Sequence, residues 1–259
     1  MLNLSEGRHE YTLSIENKNI SFECDFKPSS EEVVLFIHGL GCSRESFRDV
    51  FDHPYFPDKS FLLLDLIGFG KSSKPGNFSY SLEDQAKLCV QFLLKLQFRN
   101  IHIVAHSMGA AISLLFPTDV LLKVHSFANI EGNLISEDCG LFSRGISNYL
   151  FNDYHTRIFK EQQAALMGHP LLRFEETIST AVHRSSKSLV QWSDSGELLS
   201  RFKRLSCKKS YFFGEKNAQM PVLQQLDGIK TFMIPQSGHG LMTENPKAFY
   251  TTLAEFIRS

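Results

Sequence analysis

The sequence predicts an α/β protein in which a mostly parallel sheet carries helices on both faces. Three observations predict it. Short apolar or β-branched runs recur along the chain, amphipathic stretches separate them, and one long stretch has helical patterning without a strand. Strands that alternate with helices build parallel β-α-β units, and a sheet covered on both faces needs strands that are apolar on both sides.

The elements follow in order. Residues 11–15 and 20–26 predict an opening hairpin around Asn17, Lys18 and Asn19. Residues 33–37, VVLFI, are apolar throughout, as a strand buried on both faces requires. The same pattern recurs at 61–64, 101–105 (IHIVA), 124–130 (VHSFANI), 211–213 and 231–234. Residues 81–98 predict a helix, because Leu82, Ala86, Cys89, Leu93 and Leu96 fall every three or four positions. Ser81 is placed to cap it, and Asp84 three residues on resembles a capping box. Further helices are expected over 109–116 and 246–257. From 134 to 190 the alternation stops. Helical patterns at 142–151 and 157–167 precede Gly168, His169 and Pro170, and no strong strand pattern intervenes. An all-helical insertion between two strands predicts a lid over the carboxyl edge of the sheet, where open α/β sheets bind ligands. The expected organisation is a core of residues 1–133 and 191–259 with a helical lid at 134–190.

Composition excludes several classes. The chain has 259 residues, enough for one large core with an insertion. Apolar residues make up 42% and charged residues 21%, a globular balance. With 27 basic and 28 acidic residues, no global field would draw nucleic acid or anionic lipid. The basic cluster Arg201, Lys203, Arg204, Lys208 and Lys209 reads as a helix ending near Arg204, with cations at the negative end of its dipole. Five cysteines scattered at 24, 42, 89, 139 and 207 match neither a disulfide framework nor a zinc site. No signal-like start and no apolar run long enough to span a membrane appear, so the expectation is a soluble cytoplasmic protein.

The chemistry centres on Ala105-His106-Ser107-Met108-Gly109, which follows the strand IHIVA and opens a helix. A serine on such a sharp turn stands exposed above the sheet, and the turn needs small flanking residues. Serine needs a base to take its proton. His239, between Gly238 and Gly240 on the loop after the last strand, is the candidate. His106 adjoins the serine, but neighbours on a tight turn point apart, so it is expected to be packed. His38-Gly39-Leu40-Gly41 follows the strand VVLFI and offers backbone N–H groups. Leu40 and Met108 are the expected oxyanion donors. Gly70-Lys71-Ser72 mimics a phosphate loop, but Asp65 stands where that loop needs glycine, and Pro75 interrupts the required helix.

VLFIHGLG, DLIGFGKSSKP, IHIVAHSMGA, YFFGEKN and SGHG resemble, in order, the motifs of the serine α/β-hydrolase superfamily. The resemblance implies an α/β-hydrolase fold with an eight-stranded, mostly parallel sheet and a helical lid, no metal and no cofactor. It implies a structural role for Asp65. It also implies an acid after the strand that precedes the histidine loop, but that segment reads Gly214-Glu215-Lys216-Asn217, with an amide at the expected place. Glu131, closing the strand VHSFANI, is the preferred acid. Haloalkane dehalogenases and the luciferases similar to them can place theirs after the same strand. Asn217 stays open as the group that orients His239, and Glu215 is a third choice. The expected activity is cleavage of a carboxylic ester or related acyl bond of a small substrate with an apolar part. Phe142, Leu150, Phe151, Phe159, Leu166 and Met167 are the expected apolar pocket residues. The alternative is a ligand-binding, receptor-like protein on a hydrolase scaffold, which the amide at 217 favours.

Overall fold

The computed structural model describes residues 5–15, 18–52, 56, 58–96, 98, 100–140 and 142–258. Its eight strands are β1 (Gly7–Ile15), β2 (Lys18–Lys27), β3 (Glu32–Ile37), β4 (Ser60–Leu64), β5 (Asn100–His106), β6 (Val124–Ile130), β7 (Lys208–Gly214) and β8 (Lys230–Ile234). They form one sheet in the order β1-β2-β4-β3-β5-β6-β7-β8. β1 pairs antiparallel with β2, and β2 antiparallel with β4; the other five pairings are parallel. The expected sheet is therefore present. The opening hairpin differs at its turn. Lys18 and Asn19 pair with Ile15 and Ser14 as part of β2, and Asn17 lies outside the described residues.

The central strands β3, β4, β5 and β6 are buried on both faces, which is why they are apolar on both sides, whereas the edge strand β8, expected to share the pattern, is largely exposed, with Met233 50% exposed. Val33, Leu35 and Ile37 enter one core cluster, while Val34 and Phe36 enter the other. Leu62 and Leu64 likewise divide from Phe61 and Leu63. Helix α1 (Leu82–Leu96) covers the first face through the expected stripe Leu82, Ala86, Cys89, Leu93 and Leu96. Ser81 Oγ accepts the Asp84 N–H at 3.2 Å, half of the expected capping box. The Asp84 carboxylate turns instead to Ser79 Oγ and Lys87 Nζ. Helices α2 (Met108–Leu114) and α3 (Thr118–Leu121) follow β5.

Between β6 and β7 the regular elements are helical among the described residues. They are α4 (Phe142–Ser147), α5 (Phe151–Asp153), α6 (Phe159–Ala165), α7 (Ser179–Asp194) and α8 (Glu197–Arg204), joined by short 3-10 turns and one π turn, Tyr154–Ile158. The boundary expected between residues 190 and 191 falls inside α7. That helix is tied to the core: Ser185 Oγ donates to the Tyr80 carbonyl at 2.9 Å, and Ser188 Oγ accepts the Leu82 N–H at 3.0 Å. Arg201, Lys203 and Arg204 occupy the last turn of α8, where their charges meet its negative end. Helices α9 (Leu241–Glu244) and α10 (Pro246–Arg258) close the chain, and α10 buries Phe249, Tyr250, Leu253 and Phe256 on the second face. Among the described residues no helix is long and apolar enough to cross a membrane.

A buried ion cluster fixes the turns on one side of the sheet. Arg44 is 1% exposed and its guanidinium pairs with Asp25 and Asp65. Asp65 Oδ1 accepts the Arg44 N–H at 2.7 Å and its Oδ2 the Lys71 N–H at 2.8 Å. The segment that mimics a phosphate loop thus donates to an aspartate of its own chain. Removing one member would strand a buried charge, at a cost of about 3–5 kcal/mol.

Candidate active site

The strands β3, β5, β6 and β7 end at one edge, and the expected site residues follow their ends. Ser107 sits between β5 and α2 with φ 52° and ψ −123°. Non-glycine residues rarely adopt such a backbone, and strain of this kind, on the order of 1–3 kcal/mol, persists where surrounding structure enforces it. The enforcement is visible: the Ser107 N–H donates to the Ile130 carbonyl at 3.0 Å, tying the turn to β6. The turn after β3 runs directly alongside. A Cβ on Gly39 would lie 2.7 Å from His106 Nδ1 and 3.0 Å from Ser107 Cβ, so glycine lets this turn pass close against the His106 and Ser107 side chains. Leu40 follows in that turn, and Met108 is the first residue of α2, where a helix leaves its N–H groups without intrahelical acceptors.

Glu131 follows β6 with φ 42° and is 2% exposed. Its N–H donates to the Phe212 carbonyl of β7 at 2.9 Å. Its Oε2 accepts a hydrogen bond from His239 Nδ1 at 2.7 Å. The two Asn217 Nδ2 contacts, at 2.9 and 2.8 Å, go to Glu131 Oε1 and Oε2, and the Gly214 N–H adds a bond to Oε1 at 2.8 Å. The two candidates for orienting His239 are thus separated by position. Glu131 is on the imidazole, and Asn217 is behind Glu131. Glu215 accepts the Gln236 N–H at 2.8 Å and has no described contact with His239.

The histidine loop is held on both sides of His239. Glu244 accepts the Gly238 N–H through Oε2 at 3.0 Å and the Gly240 N–H through Oε1 at 3.1 Å. Lys216 Nζ pairs with the same carboxylate at 2.9 Å. His106 is buried, as expected for a packed residue, and it has a further contact. Its Nε2–H donates to the His239 carbonyl at 3.0 Å. Burial, with His239 beside it, pushes the His106 pKa well below the usual histidine value, so the ring is neutral. His38 is neutral for the same reason, burial first. Its Nδ1–H donates to the Gly39 carbonyl at 2.8 Å and its Nε2 accepts the Leu66 N–H at 3.0 Å, which fixes the start of the turn carrying Leu40.

Glu244, His106 as a loop anchor and Asn217 as a partner of Glu131 were not legible as site-supporting residues in the sequence. The available signal for Glu244 was an acid in the first turn of a short helix that opens directly after a glycine-flanked histidine.

Leu40, Ser107 and His239 line one cavity of about 490 Å³, and Leu171, Leu172, Leu189 and Phe142 supply apolar walls. The Met108 side chain is buried and is not part of that lining; what it offers the site is its backbone. Of the six apolar residues expected around the pocket, Phe142 alone is a described lining residue. Leu150 and Met167 are each 75% exposed, and Phe159 packs against Tyr154 and Phe174. Leu150 and Met167 fall outside the helices, which end at Ser147 and Ala165, and Phe159 is taken into the core cluster. Cys42 and Cys139 also line it, as neutral thiols; burial pushes Cys42 up to about 12. Burial likewise pushes the Asp138 carboxyl, another lining group, up to about 6. No cluster of side chains that could hold a metal ion occurs among the described residues.

A mostly parallel eight-stranded sheet with a serine on a strained strand-to-helix turn, then an acid, then a histidine on the last loop defines the α/β-hydrolase class. The chain belongs to the alpha/beta hydrolase fold family, whose model matches residues 32–173. It is 41% identical over 85 residues to a probable lysophospholipase of Arabidopsis thaliana, BODYGUARD 4. That match covers 32% of this chain and 20% of the plant protein, so the likeness spans about a fifth of that relative's length. It is 26% identical over 272 residues to YugF, an uncharacterized hydrolase of Bacillus subtilis strain 168, covering 95% of this chain and 96% of that protein. A thermophilic esterase from Thermogutta terrifontis, solved with malate bound, has the same fold. It superposes with a TM-score of 0.72 at 18% identity over 97% of this chain and 98% of its own.

Proposed function

We propose that the chain is a serine hydrolase that cleaves a carboxylic ester or a related acyl bond of a small, partly apolar substrate through an acyl-enzyme. The observation that carries this is the 2.7 Å hydrogen bond that His239 Nδ1 donates to Glu131, beside a cavity that His239 shares with Ser107. With Nδ1 committed to the acid, Nε2 is the nitrogen left for proton transfer.

The steps use this chain's residues in turn. Ser107 Oγ attacks the carbonyl carbon while His239 Nε2 takes its proton. The Leu40 and Met108 N–H groups stabilise the oxyanion, a contribution of roughly 3–4 kcal/mol per donor in related chemistry. The tetrahedral intermediate collapses, His239 returns the proton to the departing alcohol or thiol, and the acyl group stays on Ser107. Water, deprotonated by His239, then attacks the acyl-enzyme and frees the acid. Glu131, ionised, steadies the imidazolium in each transition state. Residues 134–190 act as a mobile lid over the cavity. The five cysteines are unpaired, which supports the reading of a reducing, cytoplasmic setting.

The receptor-like alternative loses its main support. It rested on an amide standing where an acid is expected, and a carboxylate from β6 already serves the imidazole.

The direct test is covalent labelling. A fluorophosphonate should add once, and peptide mass mapping should place the adduct on Ser107. Labelling that persists in Ser107→Ala, or no turnover of acyl esters and thioesters of any chain length, would refute the proposal.

A further inference from the structure

The turn after β7 lacks an acid at the place the family resemblance expects, and its residues hold the Glu131–His239 pair instead. The Gly214 N–H and the Asn217 amide bind Glu131. The Lys216 N–H donates to the Ser237 carbonyl at 3.0 Å, and Glu215 accepts the Gln236 N–H at 2.8 Å, both on the histidine loop. A Cβ on Gly214 would come within 2.4 Å of the Gly238 carbonyl oxygen, so this turn and the histidine loop are in backbone contact.

We propose that Asn217 is a positioning residue that acts through Glu131, and that its place requires a neutral hydrogen-bond donor. The proposal rests on the reading of Glu131 as the acid. A carboxylate offers about four lone-pair directions. Glu131 fills them with Gly214, His239 and the Asn217 amide, whose contacts to Oε1 and Oε2 lock the rotation of the carboxylate. At 2% exposure, Glu131 is shielded from bulk water that could replace a lost donor. A buried charge that loses a partner becomes costly and reorients.

The requirement for neutrality follows from charge. Aspartate at 217 would keep the shape and exchange a donor for a second carboxylate in contact with the first. Like charges about 3 Å apart do not both ionise, so one of them would retain a proton well above the ordinary carboxylate range. The position where the family resemblance expects the acid is thus closed to one once Glu131 is present.

The test compares Asn217→Ala, Asn217→Asp, Glu131→Gln and the double variant Glu131→Gln/Asn217→Asp. It uses kcat and KM on one chromogenic ester and melting temperature against pH. Asn217→Ala should lower kcat about tenfold, with KM within about twofold of the parent, because orientation acts on the transition state. Asn217→Asp should cost more than Asn217→Ala despite its closer shape. Its melting temperature should match the parent near pH ~4 and fall behind toward pH ~8. The sign follows from linkage: the folded pair keeps a proton that the unfolded chain releases, so stability drops as pH rises through that window. In the double variant the amide introduced at position 131 can donate to the carboxylate introduced at position 217. Activity should exceed that of Glu131→Gln alone, and the extra pH dependence should vanish.

If Glu131→Gln keeps parental kcat, the acid assignment fails and this proposal with it. If Glu131→Gln loses activity while Asn217→Ala and Asn217→Asp keep it, the assignment stands and the proposal is overturned. Simple additivity in the double variant also overturns it. Should Asn217→Asp fail to fold near neutral pH, Asn217→Ala and the double variant decide the matter.

Discussion

The carboxyl edge of the sheet and the helical segment above it are built in opposite ways. At the edge, backbone is forced and the Glu131 carboxylate is saturated. Ser107, Glu131 and Gln236 all have positive φ, and Glu131 accepts bonds from three different residues. Between β6 and α7 the described helices run only three to seven residues, one turn is π, and Leu150 and Met167 are largely exposed. Rigid placement suits groups that must meet a transition state within a fraction of an ångström. Short, irregular helices suit a wall that adapts to a substrate. The difference predicts that the two regions control different kinetic constants.

The largest effects should come from the edge. His239→Ala should lower kcat by roughly 10⁴-fold or more while His106→Ala, with the ring that only braces the loop removed, should lower it far less. Equal losses in two folded variants would break the distinction between reacting and bracing residues. Glu131→Gln comes next and should lower kcat by roughly 10²–10⁴-fold, with KM little changed. A loss confined to KM would place Glu131 in substrate binding instead.

The segment above should behave differently. Phe142→Ala should change KM and acyl chain preference by about tenfold or less, leaving kcat on a short ester nearly intact. A collapse of kcat on every substrate would erase the contrast between the regions. Limited proteolysis should cut first within residues 134–178, and a bound fluorophosphonate should slow that cutting. Preferential cleavage in the sheet loops would show that the mobile part lies elsewhere.

The smallest effect concerns stability. Burial pushes the Asp138 carboxyl up to about 6, so the folded chain holds a proton there that the unfolded chain has already released. Stability is therefore lost as pH rises from the usual carboxylate range toward about 6. Asp138→Asn should be neutral near pH ~4 and stabilising by at most roughly 3 kcal/mol near pH ~8, read as melting temperature against pH. A constant difference at every pH would mean that the two backbone N–H bonds of Asp138, from Leu134 and Ile135, dominate.

The contrast also explains what the sequence discloses. Strands buried on both faces are apolar almost throughout, so VVLFI and, with His102 its one polar residue, IHIVA announce themselves. A serine on a strand-to-helix turn and a histidine between glycines are dictated by local geometry, so both stand at their expected places. Glu131 was legible as the residue closing β6. Its relation to Asn217 was not, because contact between two strand ends depends on how far their side chains reach, and spacing along the chain does not encode that. The helical segment was least legible. Its pattern gave helices over 142–151 and 157–167, but the helices end at Ser147 and Ala165, which leaves Leu150 and Met167 outside them and exposed. Apolar periodicity predicts one face for a continuous helix and cannot follow such a break.

The positive φ of Ser107 and Glu131 has a consequence on the scale of generations. Glycine would adopt either conformation without steric penalty, so replacement there removes strain from the folded chain. A lineage no longer selected for these two side chains would meet no steric barrier to losing them, and part of its substitutions there would leave the fold sturdier. Descendants that keep the scaffold for another purpose should therefore show glycine at 107 and 131 first, while Arg44, Asp25 and Asp65, whose loss would strand buried charge, persist.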